Sequence, residues 1–188
     1  MLFERFLNFQ PQDFVFKIAT TPSDIAGFHA LRRRIFCDEQ GIFQKDDRDL
    51  IDERMIPIIC KSIIAGMEED VIGVVRIDER APRVWYGSRL GVAPEYRRIR
   101  RMSSAVAIRN HQPCNAGFGA IGASLIYKAV STANAFGCDT FLATVQHQNA
   151  KFFQRLHWEP LEELELYNTK HVKMRADLNH YRPALRVS

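Results

Sequence analysis

No apolar run in this chain approaches the roughly 20 residues that a membrane-spanning helix needs. The first ten residues are rich in Phe and Leu, but they carry Glu4 and lack the basic start and small-residue cleavage site of a secretory signal. A soluble, cytoplasmic protein is expected. Cysteine is scarce: Cys37, Cys60, Cys114 and Cys138 are irregularly spaced with no C-x-x-C pair, so they read as reduced thiols rather than a disulfide framework. His111 and Cys114 have ligand-like spacing, yet no matching pair completes four zinc ligands, and no metal is expected. Charge of one sign is in small excess, with a net charge of +4. Basic residues cluster at Arg97, Arg98, Arg100, Arg101 and Arg109, but without the interleaved aromatics on which nucleobases stack, so no nucleic-acid partner is expected. Repeats and low-complexity linkers are absent. At 188 residues and 46% hydrophobic content, the chain suits one domain (1–188) with a single sizeable core.

What the chain does contain is Gly117, Gly119 and Gly122, crowded against an apolar, helix-periodic run that begins near Ala120. Such a loop points backbone N–H groups together at a helix N-terminus, where free donors and the helix dipole stabilise phosphate. A phosphorylated cofactor is the leading ligand. The spacing also fits G-x-G-x-x-G, but the preceding residues hold Pro113 and polar side chains instead of a strand, so a dinucleotide fold is excluded. A P-loop is excluded as well, because no Lys-Ser or Lys-Thr pair follows the glycines.

Upstream, a strand over Val84–Val92 leads into Ala93-Pro94-Glu95-Tyr96-Arg97-Arg98. This resembles the central segment of the GNAT acetyltransferase superfamily, where a strand passes through a Pro-acidic-Tyr-Arg turn to an R/Q-x-x-G-x-G/A loop and a helix. Two further blocks agree: Phe141 to Val145 followed by Asn149 to Trp158, similar to the family's fifth strand and following helix, and the Phe36-Cys37-Asp38-Glu39-Gln40-Gly41 turn. The Cys-x-Glu-Gln-Gly wording and the 170–178 tail are similar to a subgroup labelled nitrogen-starvation acetyltransferases. The resemblance spans about 14–178 and implies an α/β (α+β) GNAT fold, a mixed central sheet of six to seven strands flanked by helices. It also implies acetyl-coenzyme A as co-substrate, a small amine as acceptor, and allows a homodimer.

Read from the residues alone, 14–19 alternates as a strand, and Thr21-Pro22-Ser23 supplies cap and N1 signals for a helix to about Gln40, stopped by Gly41. Strands over 56–65 and 71–77 form a hairpin around Glu68-Glu69-Asp70. The Val84 strand follows, then a helix over 120–135 ending at Gly137, a strand, a short helix, and strands 161–167 and 172–176 joined at Asn168-Thr169. That order makes a mixed sheet with helices on it and the ligand at the carboxyl end of a strand.

Acetylation of an amine by a thioester needs a neutral amine, donors for the developing oxyanion, a proton for the thiolate, and alignment of both substrates. By resemblance, main-chain groups of Leu90, Gly91 and Val92 hold the pantetheine arm, Arg97, Arg98, Ala120 and Gly122 contact the pyrophosphate, and Asn149 hydrogen-bonds the pantetheine. Gly117 and Gly119 add to the phosphate loop. Gly87 and Gly91, unusual inside a strand, indicate either a bulge with close backbone approach or room for a bulky neighbour such as Trp85. The proton-transfer candidates are Tyr86, four residues before Leu90 and so on its face by strand alternation, and His147 just beyond the fifth strand. Three departures stand out. Phe153 replaces the family tyrosine that protonates the thiolate; His157-Trp158 replaces Gly-Phe, which implies a different local turn, since histidine takes positive φ less readily than glycine; and an insertion over 99–115 separates the arginines from the glycines. The missing tyrosine also admits a non-catalytic acyl-coenzyme A binding subunit, and the arginine-rich first helix an acyl-homoserine-lactone synthase-like enzyme.

Overall fold

The computed structural model describes residues 13–99 and 121–183. Gly117, Gly119, Ala120, Cys114 and all of the 99–115 insertion except Ile99 lie outside the described residues.

Seven strands form one sheet: β1 (Asp13–Ile18), β2 (Ile56–Ile64), β3 (Met67–Ala81), β4 (Val84–Val92), β5 (Thr140–Gln146), β6 (Trp158–Leu166) and β7 (Thr169–Ala176). Their spatial order is β1-β2-β3-β4-β5-β7-β6, antiparallel throughout except for the parallel pair β4–β5. This is the mixed sheet the sequence implies. Helix α1 (Pro22–Arg33) covers one face and α2 (Ile121–Ala135) the other, with short α3 (Ala150–Gln154) after β5. Gly73 of β3 looks at Leu125 and Ile121 of α2, whereas Gly91 of β4 looks at Ile35 and Phe36 just beyond α1. Side chains such as Phe14, Phe28, Val74, Leu125 and Phe141 are fully or almost fully buried between these layers, each worth about 1.5–3 kcal/mol of transfer free energy.

Thr21 caps α1 by accepting the Asp24 N–H at 3.1 Å, with Pro22 in the first turn, as its sequence requires. The α-helix then ends at Arg33, short of Gln40, and the chain continues as a π-helical turn over Arg34–Glu39. This turn buries the consecutive side chains Ile35 and Phe36 together and carries Glu39 toward β4; Gly41, at φ +62°, ends it. The β2–β3 hairpin turns at Ala65-Gly66, both at positive φ, so Glu68, Glu69 and Asp70 belong to β3 and not to the turn. The β6–β7 turn is likewise centred one residue earlier than expected, on Tyr167 and Asn168 (φ +53° and +55°).

Two irregularities shape the site. In β4, Gly91 pairs with Val74 but Ser88 pairs with Arg76, so an extra residue is inserted opposite Val75 and Arg89 adopts φ +53°. The bulge therefore lies at Arg89-Leu90 and at neither glycine. Gly87 and Gly91 make room for bulky neighbours, but these are Phe141 (3.1 Å from a Cβ on Gly87) and Ile35 (2.8 Å from one on Gly91), not Trp85. The extra residue also shifts the alternation, so the face of Tyr86 and Ser88 continues at Gly91 and not at Leu90. Second, β4 pairs β5 only over Val84–Gly87 with Thr140–Ala143. Beyond Gly87 the strands part, and β5 continues with β7 alone.

Candidate active site

Where β4 and β5 part, a cavity of about 360 Å³ opens. Its walls come from β4 (Tyr86 to Leu90), β5 (Ala143 to Gln146), Asn149 and Phe153 around α3, the β6–β7 hairpin (Leu166, Tyr167, His171) and the segment after α1 (Gln40, Ile42, Phe43, Asp49). Main-chain groups of 88–92 that turn away from β3 have no partner strand on β5. A sheet interior with unpaired N–H and C=O groups suits an extended, amide-bearing ligand that completes the ladder.

Below this wall lies a salt-bridge network that sequence reading missed. Arg76, 2% exposed, holds Asp49 through both carboxylate oxygens at 2.7 Å, contacts Asp52 at 2.9 Å, and donates Nε–H to Ser88 Oγ at 2.8 Å. Arg32, fully buried, donates to Asp47 Oδ2 at 2.8 Å and also pairs with Asp52. Arg89, at the bulge, donates to Asp47 Oδ2 at 3.0 Å and to its carbonyl at 3.1 Å. These ties fix a non-glycine residue at a φ that costs of order 1 kcal/mol or more. A signal for them was present: an arginine inside Val74-Val75-Arg76-Ile77 is rarely buried unless paired, and the run Asp46-Asp47-Arg48-Asp49 supplies partners.

Hydrogen bonds from Arg76 hold the Asp49 carboxyl below its ordinary value, against some opposition from burial. Burial alone would push the Asp52 carboxyl up; hydrogen bonds from Arg32 and the Asp49 N–H, with the charges of Arg32 and Arg76, hold it well below. Folded-state values lowered in this way contribute stability that is present above the unfolded carboxylate value, about 3.9, and lost as pH falls through the folded ones. The melting temperature is therefore expected to drop steeply as pH is taken from about 4 to about 2. An Asp49→Asn/Asp52→Asn variant, less stable at neutrality, should show a shallower acid limb, and parallel limbs would contradict the assignment.

The structure brings Tyr86, Leu90 and Asn149 to the cavity. Arg80 lies over the Tyr86 ring, 4.1 Å from its centroid. Asn149 precedes α3 without using its side chain as a cap, which leaves the amide available. Gly91 and Val92 continue the β4 wall, and among the described residues a Cβ on Gly122, in the first turn of α2, would meet Val92 Cγ2 at 3.9 Å. Arg97 donates to the Val92 carbonyl at 2.8 Å and forms a bidentate pair with Glu39 at 2.5 and 2.7 Å, so Glu39 already satisfies much of its guanidinium. Arg98 lies in the exposed turn beside it.

His147 is not brought in. It is 56% exposed, and its Nδ1 faces Glu163 at 3.9 Å outside the cavity wall. The histidine that does line the cavity is His171 on β7, paired in register with Gln146. Its Nδ1 lies 2.7 Å from the Thr169 carbonyl oxygen. Because a carbonyl can only accept, Nδ1 carries the proton, and the neutral ring presents Nε2 as an acceptor. His171 was invisible in the sequence because it sits in an alternating, charged hairpin strand with no motif around it.

Phe153 lines the cavity in place of the family tyrosine and packs edge-on to Trp158 at 5.1 Å. His157 takes φ +64° after all. Its ring stacks on His180 at 3.5 Å, and its carbonyl accepts the Asp177 N–H at 2.9 Å, so local contacts support the conformation that a glycine would adopt without strain. Cys37 and Cys138 are free thiols, and burial pushes the Cys138 thiol up to about 11. Among the described residues no cluster of three or more His, Cys, Asp or Glu could hold a metal, and no helix is long and apolar enough to cross a membrane.

No protein-family model and no curated protein sequence matches the chain. Solved structures do. A candidate N-acetyltransferase from Lactobacillus plantarum superposes with a TM-score of 0.67 at 16% identity, covering 87% of this chain and 97% of that one. An acyl-CoA N-acyltransferase from Pseudomonas aeruginosa gives 0.61 at 15%, covering 87% and 99%. The NatC complex bound to Gag peptide and CoA gives 0.56 at 13%, covering 87% and 98%. With a seven-stranded mixed sheet that parts between its two parallel strands, and these structural likenesses over most of its length, the chain has the GNAT N-acetyltransferase fold.

Proposed function

We propose that the protein is an acetyl-coenzyme A-dependent N-acetyltransferase that acts on a small amine by direct attack. The observation that carries this reading is the parting of β4 from β5 next to the Arg89 bulge, which leaves main-chain donors and acceptors facing a cavity able to take the amide-rich pantetheine arm. In this reading Leu90, Gly91 and Val92 hold the arm and polarise the thioester carbonyl, Asn149 hydrogen-bonds the pantetheine, and the N-terminus of α2 around Gly122, with Arg97 and Arg98, faces the pyrophosphate. Gly117, Gly119 and Ala120 belong to the same loop in sequence. His171 Nε2 accepts the amine proton, the nitrogen lone pair forms the bond to the carbonyl carbon, and the C–S bond breaks to release the thiolate. Tyr86, also on the cavity wall, is our candidate for protonating that thiolate, since Phe153 has no hydroxyl.

A Gly122→Val variant tests the cofactor assignment. Among the described residues the nearest atom to a Cβ at Gly122 is Val92 Cγ2 at 3.9 Å, so the packing of α2 on β4 is expected to survive while the side chain blocks close approach of the pyrophosphate to the backbone. Calorimetry should show coenzyme A affinity falling at least tenfold. Unchanged affinity in a folded variant would remove the phosphate site from α2.

A further inference from the structure

The polar groups of the cavity do not balance. Asp49 is the carboxylate on its wall, and both its oxygens are committed: Oδ1 accepts from Arg76 at 2.7 Å and from the Ile51 N–H at 3.0 Å, while Oδ2 accepts from Arg76 at 2.7 Å and Arg89 at 3.4 Å. A carboxylate has about four acceptor sites, so Asp49 has none left for a ligand.

Two arginines on the same wall are in the opposite state. Arg89, with 14% of its side chain exposed, uses Nε and Nη2 on Asp47 and Asp49. Arg80 uses Nε and Nη2 on Asp78, at 2.8 and 3.3 Å. Neither Nη1 has a hydrogen-bond partner among the described residues, and both side chains line the cavity. Arg89 is also flanked by aromatic faces, its guanidinium lying 4.4 Å from the Phe43 centroid and 5.8 Å from that of Phe36. The carboxylates behind the wall are shared. Asp47 serves both Arg32 and Arg89, and Asp78 serves Arg80 with Arg54 at 4.0 Å. Burial first, and then the neighbouring Arg76 charge, act against the charged form of Arg89, with Asp47 and Asp49 partly offsetting them.

We infer that the acceptor carries an anionic group, a carboxylate in the manner of an amino acid, which is bound by the free Nη1 edges of Arg89 and Arg80. This rests on the acetyltransferase reading for one point: a pantetheine thioester is neutral, so the anion entering this cavity belongs to the acceptor. An arginine edge that is partly desolvated and stacked on aromatic rings recognises carboxylate in a fixed plane, and its amino group is thereby aligned rather than merely attracted.

The test is equilibrium binding, which needs no turnover. N-acetyl derivatives of the twenty common amino acids, and the same compounds as primary amides, are titrated into the protein by calorimetry with and without coenzyme A. At least one carboxylate is expected to bind about tenfold or more tighter than its amide, the scale of a charge-assisted hydrogen bond left unmade. Arg89→Gln should erase that preference. Because Arg89 also braces the bulge, Arg80→Gln, which loses the contacts to Asp78 and to the Tyr86 ring but leaves the bulge alone, is measured alongside and should narrow the preference on its own. Amides that bind as well as carboxylates, a preference that survives both substitutions, or no binding by any compound would overturn the inference. Coenzyme A titrated into the same samples separates the two readings. A carboxylate preference without coenzyme A binding would keep the subsite and sink the transferase; coenzyme A binding without the preference would do the reverse.

Discussion

Arg76→Met is expected to cost about 3 kcal/mol of folding stability, the lower end of the range for breaking a buried ion pair by removing one partner. The side chain is 2% exposed and serves Asp49, Asp52 and Ser88 at once. Methionine fills most of the volume but leaves Asp49 without its principal cation and Asp52 with one cation fewer. Asp52, 10% exposed, retains Arg32, and Asp49, at 37%, reaches water, which is why the upper end of the range does not apply. Urea denaturation gives the measurement. Adding Asp49→Asn and Asp52→Asn to Arg76→Met should recover part of the loss, since those charges are then no longer stranded. A single variant within 0.5 kcal/mol of the parent would mean that the network is ornamental.

The second large effect concerns chemistry. His171→Gln is expected to lower kcat about 100-fold, the scale of a lost general base. His147→Ala, which changes an exposed ring at the rim, should leave kcat intact, and Tyr86→Phe should lower it. A His171→Gln enzyme with the parent's kcat would remove the base from β7.

The sequence made legible whatever rests on periodicity or on local chemistry. The Thr21-Pro22 start of α1, the apolar periodicity of α2 and the alternation of β7 each follow from side chains a few residues apart. Single-residue defects were not legible. The inserted residue at Arg89, the π turn over Arg34–Glu39 and the Ala65-Gly66 turn each arise because tertiary packing wins over a local pattern that looks regular. The site shared that fate. Leu90 and Asn149 could be placed by resemblance, whereas Arg76, Arg89 and His171 come together only through strand pairing, which no spacing along the chain encodes.

The cavity is framed unequally on its two sides. At one end β4 and β5 are joined by a four-residue ladder of main-chain hydrogen bonds. Above the cavity the two halves meet again through the side chains of Phe43, after α1, and Tyr167, at the tip of the β6–β7 hairpin, whose rings lie edge-on at 5.4 Å. An aromatic contact of this kind is worth about 0.5–1.5 kcal/mol, and Tyr167 is 60% exposed, so thermal motion at ordinary temperature undoes it readily while the ladder holds. The molecule thus behaves as a clasp with a stiff spine and a weak catch. Anything bound between the half-sheets bridges the gap that the catch only touches, and its stabilising effect should register in the slowed hydrogen exchange of β5 and β7 amides, well away from the atoms it contacts.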